Sequence, residues 1–202
     1  MPSLLSQHEN PILVADYGAG TGDLVAAIRL IVDFDSLPSK YIFSQFDPSL
    51  SAIIQPSSGQ IIRPLHEFSS SSPFDIIFLS HVLEHVSEPR RLLMELLESC
   101  HYLVLEIPLE LTLFSSSPLM RNKTVHINFF NPFTIRALIY SLGAVLLTEH
   151  IYTPSLAVHR MSGDKYGLKF YVKRFANGLA PLASTHVFSY HYHCIISGNR
   201  VS

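Results

Sequence analysis

Short apolar runs alternate with segments of helical period along most of the chain. Apolar runs of this length are typical of buried strands, and apolar positions three and four residues apart indicate helices that pack on one face. The predicted strands are residues 11–17, 40–46, 60–64, 74–79, 102–107, 144–152 and 185–197. The predicted helices are residues 23–32, 88–99 and 131–142. This alternation predicts an α/β fold with a doubly wound, mostly parallel sheet that helices cover on both faces.

A glycine-rich turn joins the first predicted strand to the first predicted helix. Its glycines are Gly18, Gly20 and Gly22, and Asp23 stands where a dinucleotide-binding fingerprint requires its third glycine. The chain also lacks the Gly-Lys-Ser/Thr sequence of a phosphate-cradling loop. The turn therefore argues against nicotinamide and flavin dinucleotides and against a P-loop.

The pattern Asp-x-Gly-x-Gly-x-Gly at residues 16–22 resembles the first motif of the class I S-adenosylmethionine-dependent methyltransferases. The resemblance continues at Asp47 after the second strand, at residues 74–86 and at residues 126–130. These pieces look like the small-molecule branch of the family, its type 11, 12 and 23 domains, in the same order over residues 12–152.

The resemblance implies a Rossmann-like methyltransferase fold of seven strands in which the last strand is antiparallel. It also implies that the cofactor is S-adenosylmethionine. The carboxylate of Asp16 suits the ammonium group of the cofactor, the carboxylate of Asp47 suits its two ribose hydroxyls, and glycines let the backbone approach a bulky ligand. The implied cofactor-binding residues are Asp16, Gly18, Ala19, Gly20, Gly22, Asp47 and Ser80.

The implied activity is methyl transfer to an oxygen or nitrogen of a small-molecule acceptor. Such a reaction needs a positioned acceptor, and a base when the acceptor must lose a proton. His85 and His126 are the candidate catalytic residues, and His85 is a candidate general base. Methylation of an RNA end, or a non-catalytic role as the cofactor-binding subunit of a larger complex, are the alternatives.

The same histidines raise the question of a metal site. His81 and His85 are four residues apart, which on a helix would place both on one face with Glu84 and His126 as further ligands. A related constellation of acids and histidines holds a divalent ion in small-RNA terminal methyltransferases and in some quinone-pathway O-methyltransferases, but here the first position is His81 rather than an acid. We therefore favour a hydrogen-bonded structural pair and no metal. The histidines predicted only to pack or to face solvent are His186, His191 and His193.

The formal net charge of −2 hides an asymmetry between the two halves of the chain. Residues 1–110 contain 5 basic and 14 acidic residues, whereas residues 111–202 contain 9 basic and 2 acidic residues. An anionic acceptor and neutralisation between the halves, or between subunits of a homodimer, explain this equally well. The near-neutral total and the lack of a recognised RNA module argue against nucleic acid. The basic cluster of the second half is Lys165, Lys169, Lys173 and Arg174.

The length of 202 residues and the hydrophobic content of 48% predict one domain, residues 1–202, with a substrate or lid insertion at residues 154–185. Cys100 and Cys194 lack metal or redox spacing, and the chain shows neither a signal-peptide pattern nor an apolar run of the about 18 residues that a membrane span needs. We therefore expect a cytoplasmic protein. The chain begins close to its first strand, so we expect residues 109–130 and 154–185, or a partner subunit, to cover the cofactor.

Overall fold

The computed structural model describes residues 10–33, 37, 40–47, 62–68, 74–110, 126–153, 168–185 and 190–198, without the side chains of residues 168–170. The strands are β1 (Ile12–Tyr17), β2 (Tyr41–Asp47), β3 (Ile62–Pro64), β4 (Phe74–Ser80), β5 (Cys100–Leu109), β6 (Val145–Tyr152) and β7 (Tyr190–Ser197). The helices are α1 (Asp23–Ile31), α2 (Pro89–Glu98), α3 (Pro132–Ser141), α4 (Leu168–Leu179) and α5 (Pro181–Ser184). Two short 3₁₀ turns, Leu65–Glu67 and Leu83–His85, follow β3 and β4.

These strands form one seven-stranded sheet in the order β3-β2-β1-β4-β5-β7-β6. The neighbours from β3 to β5 pair in parallel, whereas β7 is antiparallel to both β5 and β6. The predicted doubly wound, mostly parallel sheet with an antiparallel last strand is therefore confirmed. The chain turns back across the sheet between β1 and β4, and ligands of such sheets bind beyond the carboxyl ends of the strands at this point.

The helices begin and end where local chemistry predicts. Pro89 occupies the first turn of α2, where a missing N–H costs nothing, and the leucines of this helix form one buried face against the sheet. Asn131 caps α3 by accepting the N–H groups of Phe133 and Thr134. Gly143 follows α3 with a left-handed φ of 71°, as expected of a glycine just beyond a helix end.

One strand is longer than the sequence predicts. Pro108 was expected to end the fifth strand, but β5 continues through it to Leu109. The register of β4 with β5 stops at Glu106. Beyond this residue β5 has β7 on one side, and on the other side an isolated parallel bridge joins Leu109 to Phe130. A proline is tolerated where its nitrogen faces an unpaired edge. The longer strand carries Glu110 towards the carboxyl edge of the sheet.

The last strand is shorter than predicted at its beginning. Thr185 was expected to start it, but this residue lies in a turn after α5, where its hydroxyl donates to the carbonyl of Leu182. β7 begins at Tyr190, and alternate residues from Tyr190 to Ile196 are buried, as the sequence alternation predicts.

Some predictions concern residues outside the described ranges. These are residues 111–125 and 154–167 of the two expected covering segments, together with Lys165 and His186. The described remainder of the expected insertion contains α4 and α5. None of the helices in the described ranges is long and apolar enough to cross a membrane.

Candidate active site

The glycine turn lies at the carboxyl end of β1, beside the end of β2. Gly18, Gly20 and Gly22 have φ angles of 84°, 54° and 82°, which is the left-handed region that favours glycine. The N–H groups of Gly18 and Ala19 both donate to the carbonyl of Phe46, at 2.7 and 2.9 Å. These bonds hold the turn against the last residues of β2.

Two glycines of the turn differ in what surrounds them. A Cβ added to Gly18 would overlap Cγ2 of Val82, so this glycine makes room for the segment that follows β4. A Cβ added to Gly20 would meet no atom within 4 Å among the described residues. Gly18 therefore serves internal packing, whereas Gly20 lies beside space that a ligand can enter.

Asp47 is the last residue of β2 and lies directly against this turn. Its Oδ2 accepts the N–H of Gly20 at 2.6 Å, and only 6% of the residue is exposed. The hydrogen bond fixes the Asp47 carboxylate beside the exposed side of the turn.

Asp16, in β1, carries a carboxyl group into the interior. The residue is 2% exposed, and its Oδ2 has no hydrogen-bond partner among the described residues. Burial raises the pKa of Asp16 from 3.8 to about 6, against a hydrogen bond with Gln45 that lowers it and with the charge of Asp47 adding to the rise. A buried carboxylate oxygen without a partner costs free energy, which a cationic or hydrogen-bonding ligand group would recover.

Ser80 ends β4 and faces Glu106 of β5. The Ser80 hydroxyl donates to Glu106 Oε2 at 2.9 Å, and the hydroxyl of Tyr152 donates to Oε1 of the same carboxylate. Ser80, which is predicted to contact the cofactor, thus uses its proton within the protein and keeps the capacity to accept a hydrogen bond.

His85 and His126, the predicted catalytic pair, lie together. Their ring centroids are 4.8 Å apart at an interplanar angle of 77°. His126 Nδ1 lies 2.6 Å from Oε2 of Glu110, and His85 Nε2 lies 3.9 Å from Oε1 of Glu84. The structure therefore adds one carboxylate to each predicted histidine.

Hydrogen bonds to backbone carbonyls bring His85 and His126 together, although the two residues are more than forty positions apart in the sequence. The side-chain amide of Asn128 donates to the carbonyls of Leu83 at 3.1 Å and Val86 at 2.6 Å. The carbonyl of Glu84 accepts the N–H groups of Ile127 and Asn128. These four bonds lock the segment that begins with His126 onto the 3₁₀ turn that ends with His85.

His81 and His85 do not share a helical face, which is the arrangement that would have let a helix present both to one ion. His81 has a left-handed φ of 54°, and the turn after it is 3₁₀. Both rings instead approach Glu84, with His81 Nδ1 3.3 Å from its Oε1. Glu84 is 1% exposed, and neither of its carboxylate oxygens accepts a hydrogen bond from the described residues.

Three functional candidates at this edge were not predicted: Glu106, Glu110 and His191. Glu106 gives a signal in the sequence, because it is a lone acid within an apolar strand and charged residues are seldom buried unless they are paired. His191 gives none, because it meets Glu106 only through the antiparallel pairing of β7 with β5.

The described side chains of the basic cluster, Lys173 and Arg174, have different neighbours. Lys173 Nζ lies 4.9 Å from the ring centroid of Tyr190. Arg174 lines a cavity of about 660 Å³ together with Arg136, Glu149 and Tyr152. Lys165 and the side chain of Lys169 lie outside the described residues, so the predicted lysine face stays a prediction.

Comparisons with known proteins agree with this architecture. A model of a family described as a methyltransferase domain matches residues 2–149. A SAM-dependent methyltransferase from Archaeoglobus fulgidus is 16% identical with a TM-score of 0.56, over 95% of this chain and 88% of that chain. Magnesium protoporphyrin IX methyltransferase from Synechocystis PCC 6803, solved with bound SAH, is 13% identical with a TM-score of 0.54, over 94% and 75% of the two chains. The cyclopropane synthase MmaA2 from Mycobacterium tuberculosis is 12% identical with a TM-score of 0.57, over 93% and 78%. A search of curated proteins finds no match.

Proposed function

Since the family model covers well over half of the chain, the protein belongs to the methyltransferase domain family, and from this premise we propose that it methylates an oxygen or nitrogen of a small molecule with S-adenosylmethionine as donor.

The observation that supports this proposal is the arrangement of Gly20, Asp47 and Asp16 at one end of β1 and β2. Among the residues that the structure describes, none meets a Cβ placed on Gly20 and none bonds the buried Oδ2 of Asp16, while Asp47 is fixed beside Gly20 at 2.6 Å. A ligand with vicinal hydroxyls and an ammonium group would satisfy the two carboxylates at once, and S-adenosylmethionine carries both groups. Gly18, Ala19, Gly22 and Ser80 complete the proposed binding residues.

When bound, S-adenosylmethionine supplies a methyl group on a positively charged sulfur. The residues of the chain then have to hold the acceptor in line with that methyl and remove a proton where the acceptor has one. Glu110 holds Nδ1 of His126 and so leaves Nε2 as the nitrogen that accepts the proton. This contact favours His126 over His85 as the general base, with His85 lining the same place.

An anionic acceptor is part of the proposal. Arg174 lines the cavity next to Tyr152, and Tyr152 in turn donates its hydroxyl to Glu106 at the carboxyl edge of the sheet. Arg174→Gln should therefore reduce the preference for an acceptor that carries a carboxylate over the same acceptor without it, most strongly at low salt. Arg91→Gln, on the exposed face of α2, is the control and should leave the preference unchanged.

The direct test supplies methyl-labelled S-adenosylmethionine with a panel of small phenols, amines and carboxylates, and identifies labelled products by mass spectrometry. His126→Gln should lower kcat by about a hundredfold or more, because the amide cannot take up the proton of the acceptor. His66→Gln, a change at an exposed histidine, should leave kcat unchanged. Unchanged kinetics in His126→Gln would contradict its role as the base.

The alternatives give different results in the same assay. Tight binding of the donor without any labelled product would indicate a non-catalytic subunit. Label transferred to the end of an added RNA, with binding that weakens steeply as salt rises, would indicate an RNA-end methyltransferase.

A further inference from the structure

His81, Glu106 and His191 converge at the carboxyl edge of the sheet from three separate positions in the chain. His81 follows β4, Glu106 lies in β5, and His191 lies near the beginning of the antiparallel strand β7. One ligand atom from each residue lies within 4.8 Å of the other two. Glu106 Oε1 is 3.8 Å from His81 Nε2 and 3.9 Å from His191 Nδ1.

Each member of this trio is oriented by other groups. Glu84 lies 3.3 Å from His81 Nδ1, which leaves Nε2 directed at Glu106. Ser80 and Tyr152 each donate a hydroxyl to one oxygen of Glu106. In metal sites, histidine ligands typically hold a carboxylate with their second nitrogen, and ligand carboxylates are themselves hydrogen-bonded.

The backbone and the buried nitrogen of His191 are independent observations at the same place. His81 is the only non-glycine residue in the described ranges with a left-handed φ, and its N–H donates to the carbonyl of Glu106 at 3.0 Å. Strain of this kind persists where the surroundings enforce it, which is common at functional sites. His191 Nδ1 is buried and has no hydrogen-bond partner among the described residues.

We propose that His81, Glu106 and His191 form a binding site for one divalent transition-metal ion of the zinc class. Two imidazoles and one carboxylate are a ligand set of zinc and non-haem iron sites, whereas magnesium and calcium prefer oxygen ligands alone. Tetrahedral zinc would need ligand atoms about 3.4 Å apart, so the two separations from Glu106 Oε1 would have to close by about half an ångström. The separation between the two histidine nitrogens, which is within 4.8 Å, would have to close by up to about 1.4 Å. Three protein ligands leave a coordination position for water or, if the proposed methyl transfer is correct, for an acceptor oxygen.

The trio differs from the set that the sequence considered. That set combined His81 with Glu84, His85 and His126, and the second group of close ligand atoms in the structure is indeed Glu84, His85 and His126. The two groups are alike in two respects: a further carboxylate holds one histidine of each, His81 by Glu84 and His126 by Glu110, and His81 and His85 are 43% and 41% exposed. The two groups assign the ion to different histidines, so substitution can separate them.

The test titrates Zn²⁺ into the full chain by calorimetry and records the visible spectrum of the protein loaded with Co²⁺. We expect one ion per chain, with His191→Ala and Glu106→Gln raising the dissociation constant by at least about tenfold. His101→Ala, at the opposite end of β5, is the matched control and should bind as the wild type does. Mg²⁺ should not compete.

A gain of signal guards against variants that lose binding because they misfold. His191→Cys should keep the ion and add a sulfur-to-cobalt charge-transfer band to the spectrum. The proposal is overturned if the wild type binds no Zn²⁺, if His191→Cys binds Co²⁺ without that band, or if His85→Ala and His126→Ala abolish binding while His191→Ala does not. These readouts do not depend on methyl transfer. The metal site can therefore be absent from an active methyltransferase, and it can be present in a protein that transfers no methyl group.

Discussion

Asp16 holds an ionisable group in the interior at the end of β1, and this has a cost that depends on pH. Its pKa is about 6 in the folded protein against an ordinary value of 3.8. An acid with a raised folded pKa binds more protons in the folded state than in the unfolded state between these two values, so the stability falls as pH rises from about 4 to about 6. This rise of the Asp16 pKa from 3.8 to about 6 corresponds to about 3 kcal/mol.

Asp16→Asn should therefore be more stable than the wild type at pH 7, by up to about 3 kcal/mol, because the amide cannot ionise. The difference should vanish below about pH 4, where Asp16 of the wild type is protonated in the folded and in the unfolded state. Denaturant unfolding of both proteins across this range measures it. The same variant should bind S-adenosylmethionine more weakly at pH 7, since the ammonium loses its carboxylate. A constant stability difference at all pH values would show that Asp16 is not a buried titrating acid.

Gly20 and Gly143 form a matched pair for testing whether the glycine turn binds a ligand. Both have a left-handed φ, and a Cβ on either would meet nothing within 4 Å among the described residues. Replacing either by alanine should cost a similar amount of stability, about 1–2 kcal/mol, from the disfavoured backbone angle. Only Gly20→Ala should also weaken binding of S-adenosylmethionine, because only its methyl group would enter the proposed cofactor space. Equal affinity in the two variants would remove Gly20 from the site.

Among the elements, the contact of α3 with the edge strand β6 depends on a partly buried ion pair. Arg136 of α3 donates through Nε to Glu149 Oε2 at 2.8 Å and makes a second contact to Oε1. The hydroxyl of Tyr192, a residue 0% exposed in β7, donates to the same carboxylate at 2.7 Å. One carboxylate thus joins a helix to the last two strands of the sheet.

Glu149→Ala should destabilise the protein by about 2 kcal/mol, because it leaves the Tyr192 hydroxyl buried without an acceptor and frees Arg136. The comparison is Glu95→Ala on α2, which removes the partner of Arg91 in a pair whose side chains are 47% and 68% exposed. That change should be near the error of measurement, since solvent screens such pairs. Thermal or denaturant unfolding measures both. Equal losses would mean that burial does not strengthen the α3–β6 contact.

The elements that local sequence predicts and those it misses differ in the range of their contacts. The cap at Asn131, the proline at the start of α2 and the glycine after α3 act within a few residues, so the helices are found close to their observed bounds. Pro108 wrongly predicts the end of the fifth strand. A proline ends a strand only where its nitrogen would have to donate to a neighbouring strand, and at Pro108 this depends on where β4 ends. The start of β7 is wrong because Thr185 lies in the turn that ends α5, where its hydroxyl donates to the carbonyl of Leu182, and the alternation of side chains does not show this contact.

For the molecule as a whole, the resemblance of four short segments was enough to predict the sheet, and the pairing of distant strands explains what it left out. Asp16, Asp47 and the glycines follow β1 and β2 directly, so their convergence is predictable from parallel strands that end at one edge. Glu106 and His191 converge only because β7 inserts between β5 and β6, which no local pattern reveals. The acidic and basic halves of the chain are likewise brought into one sheet, through the pairing of β5 with β7.

The central claim is that Asp47 and the glycine turn bind S-adenosylmethionine, and calorimetric titration of wild type, Asp47→Ala and Asp75→Ala tests it most directly. Asp75 is a matched control, because its carboxylate accepts the N–H of Leu13 at 2.7 Å much as Asp47 accepts that of Gly20, but at the opposite edge of the sheet. Asp47→Ala should lose the charge-assisted hydrogen bonds to the ribose, about 1.5–3 kcal/mol, and raise the dissociation constant at least about tenfold. Asp75→Ala should bind as the wild type does, and NADH should not bind at all. Wild type that does not bind S-adenosylmethionine, or Asp47→Ala that binds it unchanged, would contradict the account.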